Sequence, residues 1–170
     1  MDNNIKCSVA EPYPPVQVCG PNPSYAKAML FNVGSCISEM SAISLYIYNS
    51  IAITDNFPEA AALVHKISIG EMHHLNIFGR LASLLGADPR LWQCTSKGNV
   101  YWNPGYNEYP REIAAMIRYA ISGEKKAISN YKRQASWIND PNIVASLNRI
   151  ILDEEYHIKL FQELYDDICS

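Results

Sequence analysis

The segments Glu71-Met72-His73-His74 and Glu154-Glu155-Tyr156-His157 are two copies of one pattern, a glutamate followed three residues later by a histidine. The second copy begins 83 residues after the first. One further glutamate stands upstream of each copy, Glu39 before the first and Glu124 before the second, and these two are 85 residues apart. The chain therefore has the form of two near-register copies of one helix pair.

The spacing within each copy brings both side chains to one side of a helix. Residues three apart are neighbours on a helix surface, so the glutamate and the histidine can reach the same point in space. The glutamates lie in largely apolar segments, where an unpaired carboxylate is costly to bury. Four carboxylates carry four negative charges, which two divalent cations would cancel. The pattern predicts a dinuclear metal site with six ligands: Glu39, Glu71, His74, Glu124, Glu154 and His157.

Other acidic residues and histidines are expected to lie outside this site. A lone Glu-x-x-His is a weak signal, because such a pair on an exposed helix face is usually solvated. His73 and Glu155 adjoin pattern residues, but neighbours along a helix point about 100° apart. We expect surface or boundary positions for the remaining candidates: Glu59, His65, His73, Glu108, Glu112, Glu155 and Glu163.

A tyrosine follows each of the two upstream glutamates by seven residues, Tyr46 after Glu39 and Tyr131 after Glu124. Seven residues are about two helical turns, so each tyrosine should share the inward face with its glutamate. Core packing with a satisfied hydroxyl is one interpretation. The functional hypothesis is that both hydroxyls hydrogen-bond the ligand carboxylates and orient them for catalysis.

Composition limits the classes of protein to which the chain can belong. Its 170 residues are 48% hydrophobic and 18% charged, which favours one packed domain over disorder. A net charge of −3 without a basic run predicts no nucleic-acid partner and no membrane partner. We identify no bilayer-spanning stretch and no signal-peptide pattern. The five cysteines are scattered without a Cys-x-x-Cys pair, so a cytoplasmic location is expected.

Proline and glycine divide the chain into an irregular opening segment and four long helices. Residues 1–23 hold five of the ten prolines and should be irregular, whereas residues 24–170 should form one helical bundle domain. Proline at helix starts and glycine after helix ends set the predicted boundaries. The first helix is predicted from Ser24 to about Ala52, with Glu39 in the middle of it. The other three are predicted over 58–86, 110–137 and 141–168.

The connections predict how these helices pack. Short connections join the first helix to the second and the third to the fourth, which makes each pair antiparallel. The middle connection, residues 87–109, can span about 76 Å when extended, whereas a helix of the predicted length is about 42 Å long. Two antiparallel pairs joined by one long crossover form an all-α, ferritin-like four-helix bundle. The crossover aromatics should cover an apolar flank or fill a subunit contact: Trp92, Tyr101, Trp102, Tyr106 and Tyr109.

These motifs resemble the rubrerythrin branch of the ferritin-like di-iron carboxylate superfamily. Three phrases are similar to its first, third and fourth helices: Glu39-Met40-Ser41-Ala42 with Tyr46, Gly123-Glu124 with Tyr131, and Asp153-Glu154-Glu155-Tyr156-His157.

The resemblance also assigns roles to individual residues. It implies that Glu71 and Glu154 bridge the two metals and that Glu39, Glu124, His74 and His157 are terminal ligands. Asp153 becomes a candidate hydrogen-bond acceptor behind His157, with a solvated aspartate as the alternative.

The chain departs from the rubrerythrin pattern in two respects. Ala127 stands where rubrerythrins typically carry an additional carboxylate, which leaves six ligands, as in ferritin-like oxidases and manganese catalases. Paired Cys-x-x-Cys motifs of a rubredoxin-like domain are absent from the sequence, so electrons would come from a separate protein. Asn22-Pro23-Ser24-Tyr25-Ala26 also resembles relatives of the manganese-catalase type.

The expected activity is oxidoreduction of hydrogen peroxide or dioxygen at two iron ions, or alternatively two manganese ions. Peroxide disproportionation of the manganese-catalase kind would need no electron donor. Two other classes of protein stay open. One is a ferritin-like protein that oxidises and stores iron, and the other is a structural protein whose site holds zinc. A homodimer is the expected assembly. Cys36 could lie near the site, although a small buried apolar residue is the preferred interpretation.

Overall fold

Long helices dominate the computed structural model, which describes residues 6–169. α2 packs along α3 and α4 packs along α5, while α1 also lies against α3. The two helix pairs and the crossover between them confirm the predicted four-helix bundle. The helices are α1 (Pro23–Gly34), α2 (Glu39–Ile53), α3 (Pro58–Leu84), α4 (Ile113–Trp137) and α5 (Pro141–Cys169).

The helix ends show how proline and glycine set the boundaries. Pro58 and Pro141 are the first residues of α3 and α5, where a missing N–H costs nothing. Gly86 follows α3 with φ of +95°, the left-handed conformation that commonly closes a helix. The predicted start of the third long helix at Pro110 was early by one turn, because α4 begins at Ile113.

The first predicted helix is broken where we expected it to be continuous. α1 ends at Gly34 and α2 begins at Glu39, so Glu39 lies in the first turn of a helix and not in the middle of one. The side chain of Ser38 caps α2 by accepting from the N–H of Ser41. The hydroxyls of Ser38 and Ser41 in turn donate to the carbonyl of Ser35, at 2.7 and 3.0 Å. These serines close the turn between the two helices.

The crossover folds into a small hairpin that packs against the break. β1 (Trp92–Thr95) pairs antiparallel with β2 (Gly98–Tyr101), and a 3₁₀ helix follows at Pro104–Tyr106. β1 approaches α1 so closely that a β-carbon on Gly34 would lie 2.5 Å from the backbone nitrogen of Trp92. Glycine is needed at this position because any side chain would overlap the strand backbone.

Some of the crossover aromatics cover the bundle, as predicted, and others do not. Trp92 packs against the core cluster that contains residues of α1 and α3. Trp102 donates its indole N–H to the hydroxyl of Ser41 at 3.0 Å, next to the start of α2. Tyr101, by contrast, is 56% exposed.

The opening segment lies across the bundle without helix or strand from residue 6 to residue 22. The N–H of Val9 donates to Asp153 at 2.9 Å, and the Nε of Arg149 donates to the carbonyl of Glu11 at 2.7 Å. Both partners are on α5. The first residues of the predicted irregular segment, 1–5, lie outside the described residues.

One part of the bundle is long and apolar enough, by length and composition alone, to cross a membrane. This part is Pro23–Ile53, which corrects our statement that no such stretch exists. In the fold, 61% of its most apolar window is buried inside the protein. Such burial is what the core helix of a bundle shows, and the break between α1 and α2 interrupts the same stretch.

Candidate metal centre

The bundle brings all six predicted ligands to one place in its interior. Glu39 comes from the first turn of α2, Glu124 from the middle of α4, and the two Glu-x-x-His pairs from α3 and α5. None of the six residues is more than 2% exposed. Their ligand atoms form two groups, in each of which all atoms lie within 4.8 Å of one another. The first group is Glu39, Glu71, His74 and Glu154, and the second is Glu71, Glu124, Glu154 and His157.

Glu71 and Glu154 belong to both groups, and each offers one oxygen to either side. Oε2 of Glu71 lies 3.0 Å from Nδ1 of His74, and its Oε1 lies 2.9 Å from Nδ1 of His157. Oε1 of Glu154 lies 3.3 Å from Nδ1 of His74, and its Oε2 lies 3.0 Å from Nδ1 of His157. This is the geometry of two carboxylates that bridge two cation positions.

Each cation position has one additional carboxylate at its outer side. Oε2 of Glu39 lies 3.8 Å from Nδ1 of His74, and Oε1 of Glu124 lies 4.0 Å from Nδ1 of His157. We call these the Glu39 position and the Glu124 position. Each position has two bridging carboxylates, one terminal carboxylate and one histidine, a set of oxygen and nitrogen donors that suits iron, manganese or zinc.

The hydrogen bonding inside the cluster is incomplete without cations. One proton on a histidine Nδ1 cannot serve the two or three carboxylate oxygens that surround it. Accordingly, Oε1 of Glu71 and Oε1 of Glu154 are buried without a hydrogen-bond donor. An unsatisfied buried carboxylate oxygen is costly, so both atoms indicate a cation as their partner. The residues present therefore fit a dinuclear metal centre.

Two tyrosines hold the terminal carboxylates in a crossed arrangement. The hydroxyl of Tyr46 on α2 donates to Glu124 on α4, and the hydroxyl of Tyr131 on α4 donates to Glu39 on α2. Each tyrosine thus contacts the glutamate of the opposite helix, whereas the seven-residue spacing had placed it beside the glutamate of its own helix. Both tyrosines are buried, at 1% and 0% exposure.

Burial among like charges changes the acid–base behaviour of the cluster. Burial, and then the charges of Glu71 and Glu154, raise the pKa of both terminal glutamates well above the ordinary 4.5. Burial acts to lower the pKa of both histidines, but the surrounding carboxylates raise it well above 6.5. Cations entering the cluster must therefore displace protons.

Asp153 lies behind the histidines, as a buried acceptor and not as a solvated aspartate. Its Oδ2 is 3.2 Å from Nε2 of His74, on the neighbouring helix, although the sequence had placed it beside His157. Its Oδ1 pairs with Arg149 at 2.8 Å, and the hydroxyl of Tyr13 donates to its Oδ2. Tyr13 was not predicted, since a lone tyrosine in an irregular segment has no helical register.

A cavity of about 60 Å³ borders the terminal glutamates. A water molecule needs roughly 10–15 Å³ of such space, so the cavity takes a few molecules of that size. Ala127 lines it, so the missing carboxylate leaves open space beside the centre. Cys36 also lines it and is exposed, so our expectation that Cys36 is buried was wrong. The lining includes Glu39, Glu124, Tyr46 and Tyr131.

The acidic residues and histidines that we expected outside the metal site lie on the surface, as predicted. His65 and His73 are exposed, and His73 packs edge-on against Tyr13 at 4.5 Å between ring centroids. Glu155 is exposed and pairs with Lys132 at 2.9 Å.

Comparison with known protein families gives a match over most of the chain. Residues 33–165 match the Rubrerythrin family. The chain belongs to the rubrerythrin family. A curated relative of this rubrerythrin-family chain is the probable manganese catalase of Clostridium acetobutylicum, 23% identical over 171 residues, which cover 90% of this chain and 75% of the relative.

Solved structures share the fold of this rubrerythrin-family chain. The manganese catalase KatB of Anabaena superposes with a TM-score of 0.83 at 21% identity, covering 94% of this chain and 79% of KatB. A bacterioferritin of Rhodobacter capsulatus superposes with a TM-score of 0.69 at 19% identity, covering 86% of each chain. The bacterioferritin BfrA of Mycobacterium tuberculosis gives a TM-score of 0.70 at 22% identity, covering 87% and 89%. These likenesses confirm the ferritin-like fold.

Proposed function

We propose that this protein is a dinuclear iron or manganese oxidoreductase that consumes hydrogen peroxide, with dioxygen as the alternative substrate. The observation that carries the proposal is the double contact of Glu71 and Glu154, each with one oxygen directed to the Glu39 position and one to the Glu124 position. Two redox metals held by these residues would supply the two electrons that cleavage of an O–O bond requires.

The chain's own residues prepare the site for this chemistry. The bundle excludes bulk water from the six ligands, and the hydroxyls of Tyr46 and Tyr131 fix the two terminal carboxylates. The cavity beside Glu39 and Glu124 admits molecules of about the size of water. These features support a small substrate such as peroxide and disfavour an organic molecule.

Two sources of electrons are open for peroxide consumption. In disproportionation, two molecules of hydrogen peroxide give two of water and one of dioxygen, so peroxide is both oxidant and reductant. In donor-dependent reduction, one peroxide takes two electrons and two protons and gives two waters. The six-ligand set with Ala127 and the similarity to a probable manganese catalase support disproportionation as a second, more specific candidate.

The setting of the reaction belongs to the proposal as well. All five cysteines are free in the structure, which is compatible with the reducing cytoplasm that we expect. The homodimer and the separate electron-donor protein stay predictions. The storage alternative has support from the bacterioferritin neighbours only at the level of the fold.

An oxygen electrode separates these alternatives. We expect chain loaded with Mn²⁺ or Fe²⁺ to consume peroxide, and disproportionation to release about half a molecule of dioxygen per peroxide without any donor. Peroxide loss that requires a reduced donor and releases no dioxygen would favour the peroxidase. Glu154→Gln should abolish either reaction, and Glu155→Gln, on the exposed side of the same helix, should leave it unchanged. Peroxide that persists with every metal and donor would contradict the proposal.

A further inference from the structure

The two cation positions differ in what lies behind their histidines. Nε2 of His74 faces Oδ2 of Asp153 at 3.2 Å and the hydroxyl of Tyr13 at 3.1 Å, and that hydroxyl donates to the same carboxylate oxygen. Asp153 is the residue immediately before Glu154. In the repeat, the counterpart of Asp153 is the residue immediately before Glu71, which is Gly70. The half of the bundle that should supply a carboxylate to His157 therefore has no side chain at that point.

The space at Gly70 is directed at the second histidine. A β-carbon on Gly70 would lie 3.6 Å from Nε2 of His157 and 3.9 Å from the carbonyl oxygen of Cys7. The carbonyl of Cys7 takes the place of the missing carboxylate and lies 2.8 Å from Nε2 of His157. A carbonyl only accepts, so Nε2 carries the proton and Nδ1 is left to face the carboxylate cluster.

The carbonyl of Cys7 belongs to an irregular segment that α5 holds in place. We call residues 7–13 the strap. Arg149 donates to the carbonyls of Glu11 and Val9 at 2.7 and 3.2 Å, and its guanidinium lies 4.1 Å from the ring centre of Tyr13. The N–H of Val9 donates to Asp153 at 2.9 Å. The strap is thus fastened beside His74, from where its first residue reaches across to His157.

We propose that the strap is a positioning element that makes the two metal positions inequivalent, because the carbonyl of Cys7 orients His157 where a carboxylate orients His74. This inference rests on the proposed dinuclear centre. A carboxylate acceptor makes an imidazole a stronger ligand than a neutral carbonyl does, and the carboxylate of Asp153 stays on α5 when Cys7 is removed. The Glu39 position binds its metal more tightly, and the Glu124 position depends on the carbonyl of Cys7.

The test is a competition titration of the full chain with Mn²⁺ against a chelating dye, which reports affinity without any turnover. We expect two steps whose dissociation constants differ about tenfold or more. A chain that begins at Ser8 lacks the Cys7 carbonyl but keeps the peptide N–H of Val9 that donates to Asp153. It should lose a further factor of about ten in the weaker step only. Cys7→Ala keeps the carbonyl and should titrate like the natural chain.

A rescue variant separates positioning from a loss of folding. Gly70→Asp in the shortened chain puts a carboxylate at the position that Asp153 occupies in the other half, and it should restore the weaker step. Gly70→Ala, which adds only the β-carbon, should not. Circular dichroism confirms that each variant is folded.

The outcomes also separate this inference from the proposed function. Two equal binding steps, or a shortened chain that weakens both steps equally, would overturn the role of the strap while the dinuclear centre stands. Failure of Gly70→Asp to restore binding would do the same. A full chain that binds no Mn²⁺, Fe²⁺ or Co²⁺ would overturn the centre itself.

Discussion

At the scale of the residue, the two crossed tyrosines each join α2 to α4 through a hydrogen bond to a terminal glutamate. Tyr131→Phe removes the donor to Glu39, and Tyr46→Phe removes the donor to Glu124. A carboxylate that loses such a partner is held less firmly, and metal affinity at its position should fall about tenfold. Competition titration with Mn²⁺ should show the loss in one step for each variant.

Tyr48→Phe is the matched control for these two variants. Tyr48 lies on the same helix as Tyr46 but packs edge-on against Tyr109, with 4.8 Å between ring centroids. Removing the hydroxyl of Tyr48 should leave the affinities of both Mn²⁺ binding steps unchanged. Unaltered affinities in Tyr46→Phe and Tyr131→Phe would show that these tyrosines serve core packing only.

The sequence predicted the six ligands because each has a helical register that can be compared between the halves. The crossing of the tyrosines was not predictable, since it depends on how α2 faces α4 and not on spacing within either helix. The carbonyl of Cys7 has no signature at all, because every residue carries one. Gly70 did carry a signal, as the position where the repeat lacks the counterpart of Asp153.

At the scale of the element, the break between α1 and α2 depends on a close contact with the hairpin. Gly34→Ala would place a β-carbon 2.5 Å from the backbone of Trp92, so the strand or the helix must shift. We expect the free energy of unfolding to fall by about 1–3 kcal/mol, the usual cost of overpacking. Chemical denaturation measures this directly.

Gly123→Ala is the control for this substitution. Gly123 is exposed inside α4, and a β-carbon there meets nothing within 4 Å. Alanine should stabilise that helix by up to about 1 kcal/mol. A Gly34→Ala chain as stable as the natural one would show that the hairpin does not fix the break.

The break had a local signal that the hydrophobic pattern concealed. Ser38 is a favourable cap, and Glu39 directly after it suits the first turn of a helix. Apolar residues continue on both sides, however, so periodicity alone indicated one helix. The deciding contact, Trp92 against Gly34, joins residues far apart in the chain, and the local sequence contains no information about it.

At the scale of the whole molecule, the buried cluster makes stability depend on pH in an unusual direction. Folding raises the pKa of Glu39 and Glu124 above 4.5 and that of His74 and His157 above 6.5. A group with a raised pKa contributes stability below its unfolded value, and this is lost as pH rises through the folded value. The metal-free protein should therefore become less stable as pH rises from about 5 through neutral.

Groups with a lowered pKa do not reverse this trend. Burial acts to raise the pKa of Glu71 and Asp153, but their partners lower it, so their contributions are lost only at acid pH. Calorimetry with chelator should show a fall in melting temperature on the order of 10 °C over this range. With Mn²⁺ present the fall should disappear, because cations replace the protons. A metal-free melting temperature that rises with pH would contradict the electrostatic account.

The most direct test of the dinuclear centre is metal content per chain, measured by elemental mass spectrometry on untagged protein from cells grown with ample iron and manganese. We predict about two iron or manganese ions per chain, and almost none in the double variant Glu71→Gln with Glu154→Gln. A control variant that carries Glu155→Gln and Glu163→Gln, both at exposed positions, should retain both ions. Zinc alone, a single ion, or unchanged content in the first double variant would contradict the centre.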